Sequence, residues 1–328
     1  MAKEDRIGVV TVTYNSASVL SDFLQSLAAQ THSNLLFFAV DNASQDETRH
    51  LLDQWHDERL RVIANPDNRG VAEGNNQGIR AALAAGCTSV LLINNDTAFE
   101  PKLIERLDAG IDAHSVQMAC PKMVYFDEPE RIWVAGGDLR SWHGYISALH
   151  GAGEIDRGQH DRIRLVTDVP TCCVLIRSVV FERIGLMDPR YFVYFDDTDF
   201  MYRAHRADFK MIYLPAATLR HRVSVLTGGA DSPFALRYYT RNQIYFLLKH
   251  FGIVLTVPWI VLCQILWAER VLSGRRAKSW YRIKQSALRE SLSLWWHNKS
   301  TLHKNCILPH IDPTREEDSR QCQSKTIL

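Results

Sequence analysis

From residue 7 to about residue 110 the chain alternates short apolar runs with longer amphipathic ones. Ile7–Tyr14 is β-branched, of strand length, and ends in polar residues. Val19–Ala29 sets Leu20, Phe23, Leu24 and Leu27 at helical spacing, which predicts a helix burying one face. Leu35–Val40 reads as a second buried strand, stopping at Asp41. After it, Ser44-Gln45-Asp46-Glu47 has the form of a capping box opening a helix with Leu51, Leu52 and Trp55. Leu60–Ala64 is a third strand, Ala72–Ala85 a helix closed by Gly86, and Ser89–Ile93 a fourth, almost wholly apolar strand. Pro101 suits the first position of the next helix. Apolar strands separated by helices predict an α/β fold, with a mostly parallel sheet flanked by helices. Ligands of such sheets bind beyond the carboxyl ends of the strands. Those ends carry Tyr14-Asn15, Asp41-Asn42 and Asn94-Asn95-Asp96, all polar and all expected on one edge.

The section from about 111 to 225 is less regular, with Trp133, Gly136, Gly137, Trp142 and Gly144 before an acidic cluster and His221. It is expected to complete the sheet and build the acceptor side of a site. Arg237–Phe251 then reads as helix, and Phe251–Ala268 is uncharged for 18 residues, the short end of what spans a bilayer. Pro258 is expected to kink that segment, and Gln264 would be poorly satisfied in lipid. Spanning would also set the basic stretch 270–304 across the membrane from the rest of the chain, against the positive-inside tendency. A helix lying in the membrane surface avoids both problems, and Trp280, Tyr281, Trp295 and Trp296 among those basic residues suit a headgroup interface. A buried helical hairpin is the alternative. The expected division is 1–235 for the α/β domain that carries the strand-edge site, 236–305 for a C-terminal helical, membrane-surface region, and 306–328 for a polar, disordered tail.

Composition narrows the classes. The chain has 328 residues and a formal net charge of +1, so it lacks the basic excess of a nucleic-acid binder. Seven cysteines without a C-x-x-C argue against a disulfide framework and fit a reducing cytoplasm. His303, Cys306 and His310 lack a fourth zinc ligand. The polar N-terminus leads straight into a strand and shows no signal peptide.

Chemistry concentrates in Tyr194-Phe195-Asp196-Asp197-Thr198-Asp199, where three carboxylates occupy four positions beside aromatic residues. A carboxylate in an aromatic wall suits a general base, whereas a solvated turn with a helix cap is the plainer reading. Asp96, at the end of an apolar run, suits a metal.

Together these stretches resemble the family-2 glycosyltransferases, inverting enzymes of GT-A fold that use nucleotide-sugar donors. The resemblance runs from about Ile7 to about Phe251. Its motifs are Thr11–Asn15, Val40–Asp46, Asn68–Gly78, Asn94–Thr97, Phe195–Phe200 and His221, and the rhamnosyltransferase-like branch is the nearest in kind. The resemblance implies that Asp41 accepts hydrogen bonds from the nucleotide base and that Thr13, Tyr14 and Asn15 line the nucleoside pocket. It implies that Asn68 and Gly70 let the backbone approach the nucleotide, with Asn76 at the start of a helix. Asn95 and Asp96 would sit at the donor, with Asp96 and His221 holding Mg²⁺ or Mn²⁺. Asp197 would be the base and Asp196 would orient the acceptor, while Asp199 caps the following helix through Tyr202. Two departures stand out: Asn94 replaces the first acid of a D-x-D, and Val169–Cys173 lacks the Gly-Ala usual in this branch.

The implied activity is transfer of one sugar, with dTDP-rhamnose as the guessed donor, to a cell-surface glycan or polyprenyl-diphosphate-linked acceptor. It would occur at the cytoplasmic face of the membrane. No Q-x-x-R-W of processive synthases is present. The competing classes are a sugar-nucleotide nucleotidyltransferase, a nicotinamide-dependent oxidoreductase and a non-catalytic glycan- or nucleotide-binding protein. The first needs a Gly-rich basic loop after strand one, and Tyr14–Ser18 is not that. The second needs the missing glycine fingerprint.

Overall fold

The computed structural model describes residues 5–140, 144–223 and 231–299. Trp142, the trio His303, Cys306 and His310, and the expected tail at 306–328 lie outside the described residues. In chain order the elements are β1 (Ile7–Thr13), α1 (Ala17–Ala28), β2 (Leu35–Asp41), α2 (Thr48–Gln54), β3 (Leu60–Ala64), α3 (Gly70–Ala84) and β4 (Ser89–Ile93). There follow β5 (Thr97–Phe99), α4 (Leu103–His114), β6 (Met118–Tyr125), β7 (Ile132–Val134), β8 (Gly137–Arg140), β9 (Ile146–Leu149), β10 (Arg164–Val166), β11 (Cys173–Arg177) and α5 (Ser178–Ile184). The last are α6 (Asp196–Arg206), β12 (Met211–His221), α7 (Pro233–Leu272) and α8 (Lys278–Asn298).

The main sheet runs β10-β12-β6-β11-β4-β1-β2-β3, with β5 added to β12 and β7 to β6; β8 and β9 form a separate ribbon. Strands β3, β2, β1 and β4 are mutually parallel, as are β6 and β12. Inside the sheet β11 runs against the grain, antiparallel to both β4 and β6, and the peripheral β10, β5 and β7 are also antiparallel to their partners. Two reversals restore direction, so the carboxyl ends of β1, β2, β4 and β12 share one edge, and the loop entering β11 lies there too. The central strands are apolar on both faces because helices cover both sides, as their near-continuous hydrophobic runs demand. Val9, Val10, Leu91 and Leu92 are fully buried. Helix α3 lies so close to β1 that a Cβ on Gly78 would stand 2.3 Å from a Val10 methyl.

Several local expectations are corrected. Helix α2 starts at Thr48, capped by Asp46 Oδ1, which accepts from the Thr48 amide at 3.0 Å. The Ser44 hydroxyl is drawn instead to the ionisable Asp41, donating at 2.6 Å. Pro101 sits in the turn before α4, where its carbonyl accepts from the Thr31 amide at 2.9 Å. Strand β12 continues through the proline with a bulge between Leu214 and Thr218 and ends on His221 itself.

Helix α7 breaks at Gly252 (φ 73°, ψ 176°), not at Pro258, because that backbone geometry is nearly exclusive to glycine. Gln264 is not left unsatisfied: α8 offers it Gln285 and Tyr281. Before the break, α7 is locked to the body. The Lys249 ammonium, fully buried, lies 2.9 Å from Asp188 and 2.7 Å from Asp199, and His250 Nε2 is 2.7 Å from Asp199. Asp199 also pairs with Arg203 at 2.8 Å. It therefore does not cap α6 through Tyr202; it faces inward from the first turn. Burial alone would raise both carboxyls, yet the cations more than offset it, and Asp199 is held well below the usual carboxylate range.

Lys249→Ala removes the buried cation that Asp188 and Asp199 share, leaving Asp188 to Arg190 and Asp199 to Arg203 and His250, and is expected to cost about 3–5 kcal/mol in urea unfolding. Arg237→Ala, which removes a half-exposed pair with Glu290, is expected to change stability by less than about 1 kcal/mol.

Candidate functional site

The edge formed by the strand ends gathers most of the residues singled out above. At the tip of β2, Asp41 is buried and accepts from the Thr13 hydroxyl at 2.9 Å, the Ser44 hydroxyl at 2.6 Å and the Ser44 amide at 3.2 Å. Asp41 thus holds the turn at Ser44 from the tip of β2. Asn15, with φ 51°, accepts from the Gln45 amide at 2.7 Å, and Tyr14 stands 45% exposed beside it. A polar side chain tolerates that left-handed backbone better than most. Tyr14 therefore presents an open aromatic face next to a fixed carboxylate.

Asn68, Gly70 and Asn76 have structural partners. Asn68 Oδ1 accepts from the Gly70 amide at 2.9 Å. A Cβ on Gly70, whose φ is 79°, would meet the Phe192 ring and carbonyl at 2.5 Å, so the close approach served by this glycine is to Phe192. Asn76 lies in the second turn of α3, not at its start. Fully buried, its amide clips the Met187 backbone at both ends, at 2.9 Å each.

The acid and histidine meet as the sheet topology dictates. His221 pairs with Thr97 across β12 and β5, one residue from Asp96. His221 Nε2 lies 3.1 Å from Asp96 Oδ1, and both residues are buried. His221 Nδ1 and Asn95 Oδ1 have no hydrogen-bond partner among the described residues, and Trp133 packs on the imidazole at 4.3 Å between centroids. Two ligands bound side by side to a small divalent ion at about 2.1 Å stand about 3 Å apart, so carboxylate and imidazole fit Mg²⁺ or Mn²⁺. No group of three or more His, Cys, Asp or Glu converges among the described residues, which leaves the other positions to substrate oxygens or water.

Asp197 lies near the loop that enters β11. Its carboxylate accepts from the Thr198 amide at 2.8 Å, and the Thr171 amide of that loop lowers it electrostatically. The next residue, Cys172, accepts from the Asn94 amide at 2.9 Å, two residues before Asp96. Burial pushes the Asp197 carboxyl up, and these amides only partly counter it. Asp196 is driven well above the usual range by burial and then by the Asp197 charge, and its Oδ2 has no hydrogen-bond partner among the described residues. Holding these acids in place requires unusual backbone: Phe192, Tyr194 and Phe195 all have φ between 64° and 67°. The buried Asn242 amide secures this run by donating to the Tyr191, Val193 and Tyr194 carbonyls at 2.9, 2.7 and 2.9 Å.

Sequence reasoning passed over Asp168. It is 2% exposed, its Oδ1 lacks a partner, and burial followed by the Asp197 charge pushes it up to about 7. Its signal was available: an acid set between valines in Val166-Thr167-Asp168-Val169. Tyr239 and Asn242, on α7, carried no motif.

Comparison with known proteins identifies the family and the fold. The family model described as glycosyl transferase family 2 matches residues 8–185. The chain is 25% identical over 242 residues to the low-salt glycan biosynthesis hexosyltransferase Agl10 of Haloferax volcanii, covering 73% of this chain and 74% of that protein. It is 24% identical over 268 residues to the dTDP-rhamnosyl transferase RfbF of Shigella flexneri, covering 79% and 86%. It is 25% identical over 280 residues to an N-acetylglucosaminyl-diphospho-decaprenol L-rhamnosyltransferase of Mycobacterium tuberculosis, covering 76% and 86%. Among solved structures, GalNAc-T7 with UDP, GalNAc and Mn²⁺ superposes with a TM-score of 0.56 at 14% identity, over 76% of this chain and about half, 51%, of that one. The mannosyltransferase PcManGT of Pyrobaculum calidifontis with GDP-Man and Mn²⁺ gives 0.52 at 14% identity, over 98% and 81%. These likenesses establish a GT-A fold, and with the family match the chain belongs to glycosyl transferase family 2.

Proposed function

We propose that this protein moves one sugar from a nucleotide-diphosphate sugar to a hydroxylated glycan acceptor with inversion, with Asp197 as general base. The observation that carries the reading is the 3.1 Å approach of His221 to Asp96 at the strand edge, supported by a raised Asp197 carboxyl that is lowered in part by the Thr171 amide, one residue from the Asn94–Cys172 backbone bond. Residues 1–235 would form the catalytic unit. Asp41, Thr13, Tyr14 and Asn15 would hold the nucleoside, with Asn95 and Asp96 at the diphosphate. Asp197 takes the proton of the acceptor hydroxyl as its oxygen attacks the anomeric carbon. The sugar–phosphate bond breaks on the opposite face, inverting that carbon, and Asp196 orients the acceptor. A Mg²⁺ or Mn²⁺ held by Asp96 and His221 would supply charge neutralisation at the departing diphosphate. Rhamnose as the donor sugar, as dTDP-rhamnose, and a polyprenyl-diphosphate-linked acceptor are supported by the relatives named for them.

Attachment to the cytoplasmic membrane surface fits the C-terminal helices at 236–305. Among the described residues α7 is long and apolar enough to cross a membrane, and only 11% of its most apolar window is buried. Val254, Leu255, Val261 and Ile265 are exposed, next to the basic residues of α8. The hairpin pairs α7 with α8 but leaves this face uncovered, which favours lying in the interface over full burial.

Incubation with dTDP-rhamnose, UDP-sugars and GDP-mannose plus Mn²⁺ is expected to release nucleoside diphosphate. Asp197→Asn should lower kcat by about 10²–10⁴, and wild-type release that the substitution leaves intact would remove Asp197 from the mechanism. Asp96→Ala and His221→Ala should weaken the Mn²⁺ dependence; turnover in EDTA contradicts their role. Because the base works ionised and its carboxyl is raised, kcat/KM should fall tenfold per pH unit below that raised value. A profile still flat down to about pH 4, the ordinary carboxylate range, contradicts the assignment. Flotation with phosphatidylglycerol vesicles at low salt tests the membrane reading; protein that stays at the bottom of the gradient favours a buried hairpin.

A further inference from the structure

Three polar atoms near Asp197 are buried without a hydrogen-bond partner among the described residues: Asp168 Oδ1, Asp196 Oδ2 and Ser147 Oγ. A buried polar group left unpaired costs about 1–3 kcal/mol, and a cluster of them is unusual unless something absent completes it. The cluster lies where three elements meet. Asp168 bridges to Gly137 at the start of β8, Ser147 lies on β9 close enough to lower the Asp168 carboxyl while falling outside hydrogen-bond geometry, and Asp196 opens α6. Tyr239 of α7 feels the charges of both Asp168 and Asp197. Asp168 also lies three residues before Thr171, whose amide lowers the Asp197 carboxyl. The preceding residue, Thr167, lines a cavity of about 440 Å³ with Asp138, Tyr145, Tyr202 and Arg206.

We propose that Asp168, with Ser147, forms a subsite for a neighbouring hydroxyl of the acceptor sugar, beside the hydroxyl that Asp197 activates. This rests on the glycosyl-transfer reading above. The chemistry selects a vicinal diol. One hydroxyl donates to Asp197 and reacts, and the next donates to Asp168 Oδ1 while it can accept from the Ser147 hydroxyl. A carboxylate facing a carboxylate stabilises nothing in the free protein, so the arrangement is costly until a polyol supplies donors. The subsite therefore distinguishes sugar acceptors from water.

The test uses the full chain with Mn²⁺ and the same three classes of donor, with prenyl-diphosphate-linked hexoses and N-acetylhexosamines as acceptors. Donor hydrolysis without acceptor is measured in parallel. For Asp168→Asn the acceptor KM is expected to rise about ten- to a hundredfold, while donor KM and acceptor-free hydrolysis stay within about twofold. Ser147→Ala should raise acceptor KM by a smaller factor. Stability should move the other way. The Asp168 carboxyl, pushed up to about 7, contributes stability that is complete below its unfolded value and lost as pH rises through 7. The urea midpoint of Asp168→Asn should therefore exceed that of wild type by a margin that grows from about pH 5 to about pH 8.

Unchanged acceptor KM in both variants overturns the inference. So does a parallel loss of donor hydrolysis, or loss of cooperative unfolding in Asp168→Asn, either of which makes Asp168 a structural residue. Wild type that hydrolyses donor but glycosylates none of the acceptors also overturns it. Wild type that neither hydrolyses nor transfers overturns the glycosyl-transfer reading, and this inference with it.

Discussion

The arrangement depends on one strand laid against the grain. β11 enters the sheet between β4 and β6 and antiparallel to both, with Cys173 opposite Ile93. The loop that leads into β11 is thereby placed beside the loop that leaves β4. The Asn94 amide and Cys172 carbonyl close that junction, and the neighbouring Thr171 amide lowers the Asp197 carboxyl. A fully parallel sheet would put the entrance to β11 at the opposite edge and separate the two acids by the length of a strand. The same reversal returns β6 and β12 to the direction of β4, which delivers His221 to Asp96. Backbone pairing of ordinary apolar strands thus does the positioning, and the reactive side chains need not be adjacent in sequence.

The first turn of α6 divides its carboxylates by environment. Asp199 faces inward to Lys249, Arg203 and His250 and is held ionised. Asp196 and Asp197, on the side of the β11 loop, are both raised by burial, and Asp196 further by the Asp197 charge. Carboxylates pushed apart in this way take different tasks. The inward one anchors the helix, and the others retain proton affinity. Three left-handed residues before the helix store strain of about 1–3 kcal/mol each, and the Asn242 amide and the Lys249 cluster oppose it. Helix α7 supplies both, then breaks at Gly252 and continues as the exposed apolar segment. The element that secures the acids is thus continuous with the one that faces outward.

Fold class was legible because apolar runs of strand length alternate with helical periodicity, and burial on both faces leaves few other solutions. The polar strand ends were legible for the same reason: Asp41 and Asp96 stop runs of hydrophobic residues. What the sequence concealed was set by tertiary contacts. Gly70 and Asn76 sit in a motif of the family, yet here they clasp Phe192 and the Met187 backbone, which lie more than a hundred residues away. Pro258 drew the eye as a kink, but a helix interior tolerated it and the glycine six residues earlier took the bend. Asp168 stood alone in a β-like stretch, and its meaning depends on a neighbour 29 positions on, which no local pattern encodes.

The central claim is that residues 96, 197 and 221 serve a single ligand. A crystal of the protein with Mn²⁺ and a nucleoside diphosphate, with anomalous differences collected at the manganese edge, tests it most directly. One peak contacting Asp96 and His221, with the diphosphate on it and Asp197 facing the open side of the ligand, is the expected result. A peak elsewhere, or a nucleotide seated away from the tips of β1, β2 and β4, would contradict it.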